Sequence, residues 1–254
     1  MGWVGRGRGG GNIASVNISA SLECETDQTA PPRGSAPLVL AIDGPSGVGK
    51  SSTSRGVASA LGLRYLDTGA TYRALTWWLL EHGADVSDAQ TVADHVTVPR
   101  IEVGTDPTAP WTRIDGTDVS APIRGPEVTA AVSAVASVPA VRAHLIAMQR
   151  DIIAASLTGS AGIVVEGRDI GTVVAPDASV KVFLTASGSA RANRRALEDN
   201  RAVDRTRGEL DRRDGKDAPQ SGRAEDAVVI DSTLLSLDQV IDQIVAMARR
   251  VRHV

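Results

Sequence analysis

The chain has 254 residues, of which 42% are hydrophobic and 22% charged, a composition typical of a folded protein with a sizeable core. Its 27 Lys and Arg residues against 30 Asp and Glu residues give a net charge of −3, and 3% of residues are aromatic, which argues against a dedicated nucleic-acid binder. The single Cys24 excludes an internal disulfide framework and a multi-cysteine zinc site. No apolar run approaches the roughly 18 residues of a membrane span. Both observations fit a cytoplasmic protein, which is the location that we expect.

Residues 1–36 form a polar segment with a glycine- and arginine-rich start. No apolar run of about 7–15 residues occurs before Pro31, so the segment does not have the composition of a signal peptide. We expect a disordered extension ahead of a folded domain spanning residues 37–254. An RNA-binding Gly/Arg tail and a misplaced start codon are the alternatives.

The first folded elements are predicted directly after this extension. Residues 38–42 form a short apolar run closed by a glycine-rich turn, which predicts a strand buried on both faces. A helix is predicted over residues 50–61, ending near Gly62. A second strand over residues 63–66 and a second helix over residues 70–82 complete this part of the chain.

The middle of the chain has a different pattern. Short apolar stretches between Gly and Pro residues over 97–119 predict a small antiparallel element. Two helices are predicted over residues 126–137 and 141–157, with Pro139 between them.

A strand–helix alternation then resumes. Residues 163–166, 180–184 and 227–230 are short, rich in β-branched residues and flanked by helical stretches, which predicts a parallel sheet. Ser236 and Gln239 form a capping-box pattern for a final amphipathic helix. The predicted fold class is therefore α/β, with five parallel strands flanked by helices.

The segment 191–213 contains eight arginines interleaved with five acidic residues. A nucleic-acid patch would not be diluted by acidic residues in this way. We interpret most of these arginines as a solvated helical face with ion pairs.

The strongest chemical pattern is a complete G-x-x-x-x-G-K-[ST] motif between the first predicted strand and the first predicted helix. Its glycines let backbone N–H groups surround an anion, and the helix N-terminus adds partial positive charge. Lys50 can neutralise the outer phosphates of a nucleotide, and the Ser51 hydroxyl can face Mg²⁺. The predicted ATP site comprises Gly44, Pro45, Ser46, Gly47, Val48, Gly49, Lys50, Ser51 and Ser52.

A phosphate loop alone does not distinguish GTPases, ATPases and kinases. The chain lacks the Asn-Lys-x-Asp motif that reads guanine, and it lacks an apolar strand ending in Asp-Glu, which a motor or remodelling ATPase would normally carry. A small kinase remains, so an acceptor site is expected elsewhere in the chain.

Three segments have the composition of such an acceptor site. Residues 67–73 follow the second strand, where Thr68 can cap the next helix and the guanidinium of Arg73 can face outward to a phosphate. Residues 166–172 combine charges and glycines at a strand exit, the edge at which open α/β sheets bind ligands. Residues 212–217 form a charged run, for which a solvated loop is the alternative.

Together, these segments resemble the bacterial cytidylate kinase family. The resemblance rests on GPSGVGKSS, YLDTGATYRA, VVEGRDIGTVV and RRDxxD ahead of Asp231-Ser232-Thr233, and it runs from about Leu38 to the end of the chain. It implies a P-loop NTPase core with an acceptor-binding insert and a short lid. The implied ranges are 37–82, 158–194 and 225–254 for the core, about 83–157 for the insert, and about 195–224 for the lid.

The resemblance also implies how the base of the acceptor is read. Thr68, Arg142 and Asp169 match family residues at the cytosine edge. A carboxylate and a hydroxyl can accept a hydrogen bond from the exocyclic amino group of cytosine, whereas uracil carries an acceptor there.

The remaining implied site residues surround the acceptor phosphate and sugar. Arg73 and Arg168 match arginines that hold the phosphate, because a planar guanidinium binds two oxygens. Glu166 is expected to support these arginines. Ser133, Arg213 and Asp217 match residues near the sugar, and Lys50, Arg73, Arg168 and Arg213 form the implied catalytic set.

The chain departs from the family pattern after Asp217. The family usually has an arginine three residues on, followed by Pro-Leu, whereas this chain has Gln220 and lacks the Pro-Leu pair. Arg223 is the only arginine between Arg213 and Arg249, so we expect it to replace the missing lid arginine or else the lid to be weakened.

The resemblance implies transfer of a phosphoryl group from ATP to CMP or dCMP with Mg²⁺, by a monomer that binds neither nucleic acid nor membrane. Two other readings stay open on the residues alone. One is a kinase for another small acceptor such as UMP or shikimate, and the other is a P-loop protein kept as a nucleotide-binding module.

Overall fold

The structure is a computed structural model that describes residues 37–158, 162–199 and 202–252, so the predicted extension over 1–36 lies outside the described residues. The described residues contain eight strands, numbered in chain order. They are β1 (Leu38–Asp43), β2 (Arg64–Asp67), β3 (Ile101–Val103), β4 (Thr112–Ile114), β5 (Thr117–Asp118), β6 (Gly162–Gly167), β7 (Val180–Thr185) and β8 (Val228–Asp231).

The same residues contain eight α-helices and three shorter helical segments. The α-helices are α1 (Lys50–Leu61), α2 (Thr68–Glu81), α3 (Ala89–His95), α4 (Pro126–Ser137), α5 (Pro139–Leu157), α6 (Gly188–Asp199), α7 (Val203–Asp217) and α8 (Leu237–Arg252). The shorter segments are 3-10 helices at Pro122–Arg124 and Ala218–Gln220 and a π-helical turn at Ile170–Val174.

The predicted five-stranded parallel sheet is confirmed. Its strand order is β2-β6-β1-β7-β8, and every neighbouring pair is parallel. The strand that leads into the phosphate loop, β1, therefore lies at the centre, with β6 and β7 on its two sides.

Both faces of the central strands β1 and β6 are buried, which explains their continuous apolar runs, whereas Val228 and Val229 of the edge strand β8 are exposed. Leu40 and Ile42 of β1 point to one face and pack with residues of α1 and α8. Ala41 points to the other face and packs with Ile153 of α5 and with the π-helical turn. Because ligands bind at the carboxyl ends of such strands, the fold presents the loops after β1, β2 and β6 at one edge.

The insert carries its own small sheet and core. Strands β3, β4 and β5 pair in an antiparallel order, as the sequence predicts for residues 97–119. A separate apolar cluster joins α2, α4 and α5 beneath this sheet, and it includes Leu75, Leu79, Val135 and Leu145.

The two insert helices differ from their predicted bounds in one respect. Helix α5 begins at Pro139 itself, rather than at residue 141, because proline fits the first turn of a helix, where its missing N–H costs nothing. Within the described residues, no single helix is long and apolar enough to cross a membrane, although α4 and α5 pass that test as a pair bent by 96°.

Candidate active site

A cavity of about 410 Å³ opens at the carboxyl ends of β1, β2 and β6. This volume is in the range of small-molecule sites. It brings together residues from the loop after β1, from the insert and from α6 and α7. The predicted site residues that line it are Ser46, Gly47, Gly49, Lys50, Ser51, Ser52, Thr68, Arg73, Ser133, Arg142, Arg168, Asp169, Arg213 and Asp217.

Three members of the predicted ATP site do not line the cavity. Val48 is buried and packs in the core, while Gly44 and Pro45 form the backbone turn behind the loop. Gly44 has φ +152°, and a Cβ at this position would lie 2.3 Å from the carbonyl oxygen of Leu184, so only glycine fits there.

The Lys50 ammonium group is positioned by the phosphate loop itself. Its Nζ donates to the carbonyl oxygens of Gly44 and Pro45, each at 2.8 Å. Burial and the nearby charge of Arg168 lower the pKa of Lys50, while Glu166 opposes this effect. A bound phosphate would add further negative charge beside this ammonium group.

Glu166 has different partners from those the resemblance implies. Its carboxylate accepts a short hydrogen bond from the Tyr65 hydroxyl and lies within hydrogen-bonding reach of Ser51. Burial raises the pKa of Glu166, and the charge of Asp67 adds to this effect. The expectation that Glu166 supports Arg73 and Arg168 is therefore corrected: this carboxylate faces the phosphate loop.

The residues beside Ser51 suit a hard cation that is bound mainly through phosphates. The Ser51 hydroxyl and the Glu166 carboxylate both line the cavity and offer oxygen ligands, which Mg²⁺ prefers. The described residues contain no group of three or more His, Cys, Asp or Glu side chains that could hold a metal by themselves. Mg²⁺ commonly takes one or two protein ligands and completes its shell with nucleotide oxygens and water, so this donor set fits it.

Three arginines of the predicted site, Arg73, Arg168 and Arg213, line the same cavity as the phosphate loop. Arg73 is only 5% exposed, and its NH1 donates at 3.0 Å to both the carbonyl oxygen of Ile123 and the Thr129 hydroxyl. Burial, followed by the charge of Arg213, lowers the pKa of Arg73 to about 9. Arg73 is thus buried against the insert rather than directed outward as the sequence predicted.

Arg213 and Arg168 are also close enough to repel each other. Burial, followed by the charge of Arg168, lowers the pKa of Arg213. Like charges placed in one partly buried cavity are unfavourable unless an anion joins them. The arginine cluster is therefore suited to a phosphate group.

The cavity lining also contains an ion pair between Arg142 and Asp169. Arg142 comes from α5, and Asp169, which is 8% exposed, follows the end of β6. Thr68 lies nearby and donates from its hydroxyl to the carbonyl oxygen of Glu166 at 2.7 Å. The helix after it is capped by Asp67, which accepts from the Ala70 N–H, so the expectation that Thr68 is the cap is wrong.

Ser133 and Asp217 connect the insert to α7. The Ser133 hydroxyl donates to an Asp217 carboxylate oxygen at 2.8 Å. The other Asp217 oxygen lies 2.9 Å from NH2 of Arg168 and 3.6 Å from Nε of Arg213. This contact closes α7 over the cavity and brings together residues that are far apart in the sequence.

The phosphate loop already holds an anion in this structure, and that anion is a carboxylate of the protein itself. The backbone N–H of Ser46 donates to Asp214 at 3.0 Å. Arg168 lies 3.2 Å from the same oxygen, and Arg191 pairs with the other one. A bound phosphate would displace Asp214 and take over these donors.

The arginine-rich segment is less exposed than the sequence suggests. Among the arginines of 191–213 whose side chains the structure describes, only Arg207 and Arg212 are exposed. Arg194 donates to the backbone and hydroxyl oxygens of Ser232, and Arg195 lines the cavity. The solvated-face interpretation is therefore wrong for most of them, because α6 lies against the phosphate loop.

The residues near the missing lid arginine differ in their exposure. Gln220 lines the cavity, whereas Arg223 is exposed and outside its lining. Arg195 lies close enough to Arg73 and Arg213 to lower the pKa of both. Sequence reasoning missed Arg195 because a charged helical run does not show which face is buried. It also missed the lining residues Arg124 and Leu210.

Comparison with known proteins agrees with this geometry. A family model described as cytidylate kinase matches residues 40–250. A cytidylate kinase of Streptomyces avermitilis is 50% identical over 220 residues, covering 85% of this chain and 94% of that protein. One of Mycobacterium avium is 46% identical over 228 residues, covering 85% and 97%.

Solved structures show a weaker likeness. A gluconokinase from Sinorhizobium meliloti 1021 gives a TM-score of 0.47 at 14% identity, covering 87% of this chain and 96% of that one, which is too low to bear on the family. The match to the family model spans residues 40–250 and so includes the phosphate loop, the insert and α7. The chain therefore belongs to the cytidylate kinase family.

Proposed function

We propose that the protein transfers the γ-phosphoryl group of ATP to CMP and dCMP, with Mg²⁺, to give ADP and CDP or dCDP. The observation that carries the proposal is one cavity whose lining combines the phosphate loop, the arginine cluster and the Arg142–Asp169 pair. The membership of the cytidylate kinase family and relatives of that name support it.

The donor nucleotide is held by the loop after β1. Backbone N–H groups of the loop and the Lys50 ammonium group bind the outer phosphates, and Asp214 leaves the Ser46 N–H to make room for them. Ser51 and Glu166 would hold Mg²⁺, which when bound neutralises phosphate charge.

The acceptor nucleotide is held by the insert and by the segment after β6. Arg73, Arg168 and Arg213 surround its phosphate and place it against the donor. Such positioning and charge neutralisation are the main sources of catalysis in phosphoryl transfer. Ser133 and Asp217 offer a hydroxyl and a carboxylate to the sugar.

Asp169 and Thr68 select the base. The cytosine amino group donates to a carboxylate, whereas the O4 atom of uracil would meet it with a lone pair. The ion pair with Arg142 holds the Asp169 carboxylate in one orientation at the cavity wall.

A coupled assay of ADP release tests the function. We expect turnover with CMP and dCMP and much less with UMP, AMP or shikimate. Faster turnover with another acceptor would contradict the choice of substrate, and ATP binding without turnover would contradict an enzymatic role.

We further propose that residues 83–157 act as the acceptor-binding insert and that the lid starts with α6. The boundary predicted at residue 195 falls inside that helix, and Arg191 already contacts the phosphate loop through the carbonyl oxygen of Ser46 at 3.0 Å. We also propose that the enzyme is a monomer, as the resemblance implies. Sedimentation at working concentration tests this, and a stable dimer would contradict it.

The single cysteine supports a cytoplasmic location.

The lid arginine can be identified by paired substitutions. Arg195→Ala is expected to lower kcat at least about tenfold with little change in ATP affinity, because a contact to the migrating phosphoryl group forms mainly in the transition state. Arg223→Ala, at an exposed position, is the matched control and should change kcat less than about twofold.

Gln220→Arg completes this test. Its new guanidinium would face the cavity, so kcat should rise or stay unchanged. Turnover, ATP affinity and melting temperature are measured for all three variants. A tenfold loss in Arg223→Ala beside normal Arg195→Ala would show that Arg223 swings in and takes the lid role.

A further inference from the structure

Asp43, the last residue of β1, carries a carboxylate that the proposed reaction does not use. It is only 4% exposed, and charged groups are seldom buried to this degree without partners. It directly precedes Gly44, the first residue of the phosphate loop. Because β1 is the central strand, the partners of Asp43 show which segment is tied to the start of the phosphate loop.

Both carboxylate oxygens of Asp43 accept backbone hydrogen bonds from the segment after β6. Oδ1 accepts from the Ile170 N–H at 2.8 Å, and Oδ2 accepts from the Gly171 N–H at 2.8 Å. Both lengths are those of well-formed hydrogen bonds, and the negative charge strengthens them. Burial raises the pKa of Asp43 to about 6, and the two N–H groups oppose that rise, so the group is mostly ionised at neutral pH.

These two bonds begin where the backbone ladder ends. The pairing of β1 with β6 stops at Asp43 and Gly167. Arg168 and Asp169 follow immediately, beyond the last paired residue. The Asp43 side chain therefore extends the connection between the two strands past the ladder and fixes the backbone directly after the two site residues.

We propose that Asp43 is a positioning residue that fixes Arg168 and Asp169 relative to the phosphate loop, and so sets both the preference for the cytosine base and the placement of the acceptor phosphate. This role rests on the proposed function for its effect on substrates. The contact itself is independent of the substrate.

Asp43→Asn tests the proposal. An amide has one acceptor oxygen, and its NH₂ group would face one of the two N–H donors, so one bond is lost and the segment is released. We expect the KM for CMP to rise about tenfold and the ratio of CMP to UMP efficiency to fall at least fivefold, while the KM for ATP changes less than twofold. Asp118→Asn is the matched control, because its exposed carboxylate also accepts a backbone N–H, from Ser120 at 2.9 Å, away from the cavity.

Amide hydrogen exchange gives a readout that does not depend on the substrate. In Asp43→Asn, peptides covering residues 168–174 should exchange at least about tenfold faster, with no change in peptides of β3–β5. If wild-type enzyme shows no preference for CMP, the proposed function fails, while the exchange result still decides whether Asp43 fixes this segment. Unchanged exchange there would overturn the proposal.

Gly171→Ala changes the residue that donates to Asp43 Oδ2, and it is the second variant to be measured if Asp43→Asn does not fold. The added methyl group would lie 3.5 Å from Asp43 Oδ2, an ordinary contact distance, and 3.2 Å from Lys181 Cδ, which must give by a few tenths of an ångström. We expect a fall in the CMP to UMP ratio that has the same direction and is smaller than in Asp43→Asn. Equal losses for CMP and UMP in the variants that fold would reduce Asp43 to a structural role and overturn the proposal.

Discussion

Lys50→Ala is expected to lower kcat by about 10²-fold or more, the scale of a deleted transition-state donor. The Lys50 ammonium group lies on the phosphate loop, held by two carbonyl oxygens at 2.8 Å. During transfer, negative charge is spread over the oxygens of the migrating phosphoryl group, and alanine offers nothing to neutralise it. Steady-state turnover at saturating ATP and CMP measures the effect.

Lys216→Ala is the matched control for this variant. Lys216 is exposed on α7 and does not line the cavity, so its kcat should stay within about twofold of the wild type. A melting temperature shows whether Lys50→Ala remains folded. A folded Lys50→Ala enzyme with near-normal kcat would refute the role of Lys50.

Asp169→Asn should lower kcat/KM with CMP and also lower the ratio of kcat/KM with CMP to kcat/KM with UMP. An amide can no longer accept from the cytosine amino group as a charged partner, and its NH₂ group can donate to uracil O4. Loss of one hydrogen bond to a charged group corresponds to about 1–3 kcal/mol in the ratio of kcat/KM values. The comparison is made between CMP and UMP on the same preparation, so a general loss of activity cancels.

Asp169→Asn also leaves Arg142 without its ion-pair partner. A loss of activity with CMP alone therefore does not show that Asp169 reads the base. Glu102→Gln is the control: Glu102 forms an exposed ion pair with Arg100 and does not line the cavity, so the CMP to UMP ratio should not change. If Asp169→Asn lowers CMP and UMP efficiencies by equal factors, Asp169 does not read the base.

The elements that the sequence predicted well are those defined by local chemistry. The strands of the core are short apolar runs, and burial on both faces requires such runs whatever surrounds them. The phosphate loop was also predictable, since its glycines, Lys50 and the following helix form one local unit.

The features that the sequence did not predict depend on which face of an element meets a distant one. Arg195 and Arg207 lie in the same arginine-rich segment, yet one lines the cavity and the other is exposed. Asp67 and Thr68 are both good helix-capping residues, and only the path of the chain out of β2 decides between them. The contacts of Asp43 with residues 170–171 join positions more than 120 residues apart.

The strand order also governs when the core can form during synthesis. β1 pairs with β6 and β7, and β2 pairs with β6, so none of the core strands has its hydrogen-bonding partner until residues 162–167 have been made. The insert strands pair within residues 101–118 and need no later segment. Contacts that are distant in the sequence form slowly, because closing a long loop costs entropy. A nascent chain that stops before Gly162 therefore contains the whole phosphate-loop motif but not the sheet that shapes it.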